Sequence, residues 1–179
     1  MEQYKKMKQP LLITKSKASE YVQVAIGCSE KEFDRYIREA QEFDLKPLVC
    51  EEFYYELLNK STEEPYTDIL PGKEYTYKEG TYYHEGLESV LSYFAYARYI
   101  LKGNVVSTSH GFVTKKTPNS EPISQTEKKD LYYTHRQDAN KLFEGVKKYM
   151  DRNNIEYNEC KDCVPGNLGG DIETRAMKW

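Results

Sequence analysis

Leu87-Glu88-Ser89-Val90-Leu91-Ser92-Tyr93-Phe94-Ala95-Tyr96-Ala97-Arg98-Tyr99-Ile100-Leu101 is the stretch that decides the fold. Leu87, Val90, Leu91, Phe94, Ala97 and Leu101 recur at i, i+3, i+4 and i+7, the spacing of one apolar helix face. Lys102 and Gly103 then supply a basic last turn and a helix stop. A second helix with its own apolar stripe starts after Ser124. Ser124 and Glu127 have capping-box spacing, and Leu131, His135, Ala139, Leu142, Val146 and Tyr149 follow at helical intervals to about Arg152. At ~1.5 Å per residue this helix reaches about 40 Å, longer than one small core requires.

Working outward, Ser29 and Glu32 form another capping-box pair ahead of Phe33, Ile37 and Ala40, and Pro47 ends that helix near Asp44. A further helix is expected from Cys50 to Lys60, with Phe53, Leu57 and Leu58 pointing inward, and a short one from Ser16 to Ala25 stopping at Gly27. Residues 74–77 and 81–83 flank Lys78-Glu79-Gly80 and read as a β-hairpin. Residues 104–123, with Val105/Val106, Phe112/Val113, Pro118 and Pro122, read as an extended arm or irregular hairpin. A loop of that length in a small domain is usually functional or disordered. The expected class is mainly α: a small helical bundle over residues 1–153 with a long helix in its second half. A protruding hairpin or arm at 104–123 and an extended tail over 154–179 complete it. The Phe33–Ala40, Leu87–Leu101 and Leu131–Tyr149 stripes are expected to share one core.

The whole chain, 179 residues, suits one domain. Apolar residues are 39% and charged residues 31%, and the mean hydropathy is -0.83, so much of the chain faces water. Seventeen Tyr against six Phe favour half-buried positions and contact surfaces, because a Tyr ring is apolar and its hydroxyl tolerates water. A net charge of -3 makes no field that would gather nucleic acid or acidic lipid over the whole surface. No run approaches the roughly 18 apolar residues of a membrane span. The start, Met1 to Lys6, is followed by no apolar signal region, so Cys28, Cys50, Cys160 and Cys163 are expected as reduced thiols inside the cell.

Chemistry-bearing patterns are few. Cys160-Lys161-Asp162-Cys163 has metal-like spacing but lacks the second ligand pair of a structural zinc. His84, His110 and His135 stand apart from one another; Ser107-Thr108-Ser109-His110 crowds hydroxyls near an imidazole without the elements of a triad. His135, on an apolar face, reads as a packing residue. Lys115-Lys116 with Lys128-Lys129 read as a solvated face, diluted by Glu121, Glu127 and Asp130. No phosphate-binding glycine motif occurs. The expectation is therefore no catalytic residue, no metal and no cofactor. In the tail, Ile172, Met177 and Trp179 are apolar anchors that serve either a partner or the chain's own domain, Trp179 being the only tryptophan.

Four segments resemble the head-to-tail connector proteins of tailed bacteriophages, and among these the ring proteins of crAss-like phages. They are Ile37, Ala40, Gln41, Leu45, Pro47 and Leu48; Gly86-Leu87 leading to Leu91-x-Tyr93-Phe94-x-Tyr96-Ala97-Arg98-Tyr99; Gly111-Phe112-Val113 with Asn119-Ser120-x-Pro122; and Arg136-Gln137-Asp138-Ala139. Order and spacing carry the likeness across about residues 13–152. The resemblance implies a virion protein at the head–tail junction, assembled in the host cytoplasm, without catalysis. Its copies would form a ring beneath the portal protein, touching other tail or ring proteins and, non-specifically, the DNA in the bore. It also implies that the arm, with Phe112 and Val113, packs on neighbours. The tail from Asn154 and the Tyr-rich hairpin have no counterpart in it. The alternative reading is a small dimeric regulatory module that binds DNA or protein.

Overall fold

The computed structural model describes residues 9–103, 105–109, 111–114 and 123–157. Within them the chain is a mainly helical domain with two separate antiparallel β-hairpins and a long last helix. In order come α1 (Lys15–Ala18), α2 (Glu30–Ala40) with a π-helical turn (Gln41–Leu45), α3 (Glu51–Asn59) and α4 (Tyr66–Ile69). The hairpin β1 (Lys73–Tyr77) and β2 (Gly80–His84) precedes α5 (Gly86–Lys102). The hairpin β3 (Val105–Thr108) and β4 (Gly111–Thr114) precedes α6 (Gln125–Arg152).

α5 is the central helix. Leu87, Val90, Leu91, Phe94, Ala95 and Ala97 are all buried, and it packs chiefly on α6 and then on α2. Between α2 and α5, the rings of Phe33, Tyr36 and Tyr99 meet edge to face at centroid distances of 5.8–6.3 Å, an arrangement favoured by the ring quadrupoles. Tyr36 and Tyr54 are fully buried, yet Arg35 donates to the Tyr36 hydroxyl and Tyr54 donates to Glu42. The Tyr excess thus serves the core as well as the surface.

Caps place the helices where their spacing predicts. Ser29 accepts from the Glu32 amide, and Ser124 and Glu127 complete both halves of a capping box. Cys50 caps α3, its sulfur accepting from the Phe53 amide. Gly86 opens α5 at φ +77°, and a Cβ there would stand 2.3 Å from the Gly72 nitrogen and the Leu70 oxygen. That close backbone crossing ties the first hairpin to the start of α5.

The structure departs from the sequence reading at several points. The helix expected over 16–25 stops at Ala18. Val22 and Val24 are buried on either side of exposed Gln23, the alternation of extended chain, to which β-branched residues are suited. α2 ends at Ala40 and passes into the π-turn that carries Asp44. Leu131 was expected inward but is 41% exposed, because α6 overhangs the core with its first turns and Ala139 is the first of its buried apolar residues. Lys128 was expected on a solvated face but is 3% exposed. The chain does not leave the core at Asn154. Ile155 packs against the core, Tyr157 is buried, and the Tyr157 carbonyl accepts from the Cys50 amide at 2.6 Å.

His84, at the end of β2, is 2% exposed and stacks on Tyr149 of α6 at 4.1 Å. Neither ring nitrogen has a hydrogen-bond partner. Burial pushes its pKa from the ordinary 6.5 down to about 4, with Asp68 opposing and Lys73 reinforcing the shift. The unfolded chain binds this proton more readily, so the contribution is complete above pH 6.5 and is lost as pH falls towards 4. About 3 kcal/mol is at stake at ~1.4 kcal/mol per unit. Urea melts over this range should show the loss in the parent, and His84→Phe should flatten it. An equal slope in both proteins would assign the effect to carboxylates instead.

Candidate functional site

The arm and the first turns of α6 carry five of the exposed large apolar residues of the described chain; others, Ile26 and Phe43 among them, lie elsewhere. In the arm, Val105 pairs with Thr114, Val106 with Val113, Ser107 with Phe112 and Thr108 with Gly111. Val105 is 41% and Val113 49% exposed. Ile123, just before α6, and Leu131 and Tyr133 on it are exposed as well. Phe112 lies in β4, while its side chain is outside the described atoms. Ile172, Met177 and Trp179 also lie outside the described residues, as do His110, Lys115, Lys116, Cys160 and Cys163.

Beneath this overhang lies a cleft of about 290 Å³ between the last turns of α5 and the first turns of α6. Tyr96, Tyr99 and Ile100 form one wall; Lys128, Leu131 and His135 form the other. His135 meets the Tyr96 ring edge on at 4.9 Å, and its Nδ1 is buried without a partner. Burial lowers its pKa, with Asp138 opposing. It packs as the sequence implies but leaves one polar atom towards no protein group. Lys128 forms no ion pair among the described residues.

The overhang is held by a buried charge cluster. Asp44, on the π-turn, accepts from Arg98 Nε of α5 at 2.7 Å and from Arg136 Nη1 of α6. Arg98 also pairs with Glu39 at 3.5 Å, and Lys102 joins through Glu39. Arg136 lies over the rings of Phe94 and Tyr132, each 5.4 Å away, and donates to the Tyr132 hydroxyl. One carboxylate thus fixes three helical segments, with the guanidiniums as bidentate-capable donors. Sequence reading missed Asp44, because its partners stand 54 and 92 residues away. Arg98 and Arg136 nevertheless lie within two of the segments that carry the connector resemblance.

Chemistry elsewhere is sparse. Cys28 and Cys50 are buried cysteines. The Thr108 hydroxyl donates to the Gly111 carbonyl within the exposed arm turn. Among the described residues no group of three or more His, Cys, Asp or Glu is placed to hold a metal ion. No helix among them is long and apolar enough to cross a membrane.

The model of a family of unknown function, DUF6712, matches residues 45–167, more than half of the chain. The chain belongs to the DUF6712 family. No curated protein and no solved structure matches it. In this DUF6712 chain the match takes in α3 to α6, the arm and the cleft. Arg98 and Arg136 fall inside it, whereas Asp44, which joins them, stands one residue before it.

Proposed function

We propose that this DUF6712 protein is a structural virion subunit: a connector that forms a ring between portal and tail, surrounds the DNA channel and catalyses nothing. The observation that carries the reading is the overhang. Val105, Val113, Ile123, Leu131 and Tyr133 stand exposed on the arm and the start of α6, outside the buried core. Apolar groups concentrated on a projecting element favour burial against another chain. Anchoring the overhang through Asp44 holds that surface in one orientation, which a repeating contact in a closed ring requires. The order of helices, arm and long helix supports the same reading through the connector resemblance. Partner contacts are assigned to Phe112 and Val113 of the arm and to Ile172, Met177 and Trp179 of the tail. The partners are further copies of the chain, the portal and adjacent tail or ring proteins, with non-specific contact to packaged DNA. Assembly takes place in the host cytoplasm and ends at the head–tail junction.

Native mass spectrometry of the chain mixed with a portal protein from the same genome tests this directly. A ring of this chain on the portal is the expected result, and Val113→Asp should prevent it without changing the melting temperature. A free monomer alone is compatible with assembly on the portal. A stable dimer that ignores the portal but binds duplex DNA with steep salt dependence would replace the connector by a regulatory module.

A further inference from the structure

We propose that the arm hairpin β3–β4 is completed by a second copy of this chain, the outer edge of β4 pairing through the main chain with the outer edge of β3 in the next copy. The inference deepens the assembly reading by naming the contact between copies and rests on it for the ring, while the pairing itself can be read on the purified full-length chain.

The two hairpins differ in what supports them. In β1–β2 the Tyr75 ring meets Tyr149 of α6 at 4.9 Å, Arg152 donates to the Tyr75 hydroxyl at 3.0 Å, and His84 stacks on Tyr149. Among the described residues β3 and β4 chiefly touch each other. Val113 pairs with Val106, so the alternation of a strand sets Val113 and Val105 on opposite faces, and both are exposed. Neither face of the arm is covered at these positions. Two strands alone are marginal in water, and a third strand or a packed helix makes a hairpin stable. No third strand pairs with β3 or β4 among the described residues.

The edges are open to one. Two residues separate Thr108 from its partner Gly111, which makes that pair the closing, hydrogen-bonded one. Antiparallel alternation makes Val106 and Val113 the next bonded pair. The amides and carbonyls of Val105 and Ser107 then point away from β4, and those of Phe112 and Thr114 away from β3. Val105-Val106-Ser107-Thr108 and Gly111-Phe112-Val113-Thr114 contain no charge and no proline, the devices by which exposed edges avoid pairing. β1, by contrast, carries Lys73 and Glu74.

Charge also selects the occupant. The arm strands offer no cation to a phosphate and no ion partner to a charged peptide, whereas a neutral edge meets its own kind without desolvating a charge. β3 and β4 are both four residues long, so β4 of one copy and β3 of the next match end to end. The two edges are different surfaces, and a contact between unlike surfaces repeats from copy to copy and closes into a ring.

Residue-resolved amide exchange of the parent over a range of concentrations reads the pairing. The outward amides of Val105, Ser107, Phe112 and Thr114 should exchange about tenfold more slowly at high concentration than at low. Ser107→Pro and Thr114→Pro each remove one outward amide and leave the internal ladder in place. Each alone should stay monomeric in sedimentation, and an equimolar mixture should form a dimer, because one variant keeps the β4 edge and the other the β3 edge. Ser107→Ala and Thr114→Ala keep the amides and should associate as the parent does. If a proline variant proves too unstable to purify, exchange in the parent still decides. Exchange at the four outward amides that ignores concentration overturns the assignment, as does association that survives both prolines. Loss in the alanine variants would move the contact to side chains, and loss in one proline variant without rescue on mixing would make it a two-fold dimer; either overturns the assignment as well. The ring reading fails separately, on the portal experiment.

Discussion

Asp44→Ala is expected to lower the unfolding free energy by about 3–5 kcal/mol, the range for removing one partner from a buried ion cluster. The Asp44 side chain is 1% exposed and accepts from two guanidiniums, Arg98 Nε and Arg136 Nη1. Without it, Arg98 keeps the longer contact to Glu39 and the Phe43 ring, and Arg136 keeps Tyr132 and the ring stacks. Two cations then face each other in a partly desolvated space. Urea denaturation at neutral pH measures the loss, and Asp44→Asn should fall between the parent and the alanine variant because it still accepts hydrogen bonds. The same change should loosen the overhang, so hydrogen exchange in α6 should rise around Arg136 more than around Val146. A loss under 1 kcal/mol would mean that solvent replaces the carboxylate and that the cluster does not fix the helix.

Phe94→Ala carries a comparable expected cost, about 3–5 kcal/mol, from lost transfer energy and the cavity left behind. Phe94 is 1% exposed at the centre of α5, and its ring supports the Arg136 guanidinium. The variant therefore removes core volume and undermines one arm of the Asp44 cluster. The two substitutions share Arg136 and should be less than additive when combined. A thermal melt identical to the parent's would remove the α5–α6 contact as the centre of the fold. Phe94→Leu, which retains most of the apolar volume, should recover most of the loss.

The helices were readable because their signals are local. Ser29, Cys50 and Ser124 sit at the helix starts, and Leu87, Val90, Leu91 and Phe94 repeat with the period of a helix whose apolar face must be buried. The hairpin at 73–84 followed from its Tyr and Thr content around Lys78-Glu79-Gly80. The helix expected over 16–25 failed because Val22 and Val24 gain more from burial in extended chain than a short, weakly nucleated helix offers. The candidate surface was legible only in outline. Val113 was marked as an arm residue and is exposed in β4, but the cleft between α5 and α6 was not foreseen. A cleft is made by the ends of two helices, and no spacing within either helix records it.

By itself, then, the sequence determined a mainly helical chain with a long last helix and where most of its helices start, since caps and periodicity act over one or two turns. Tertiary structure alone decided which charges are buried together and which apolar residues stay outside. Leu131 continues the stripe of Ala139 and Val146 by spacing, yet it is exposed because α6 extends past the body that could cover it. Lys128 is as polar as Lys129, yet it is buried where it lines the cleft between α5 and α6. Asp44 looks like any acid near a helix end until α5 and α6 bring Arg98 and Arg136 to it. Burial and Coulomb energies depend on distance in space, and separations of 54 and 92 residues along the chain leave no local trace of it.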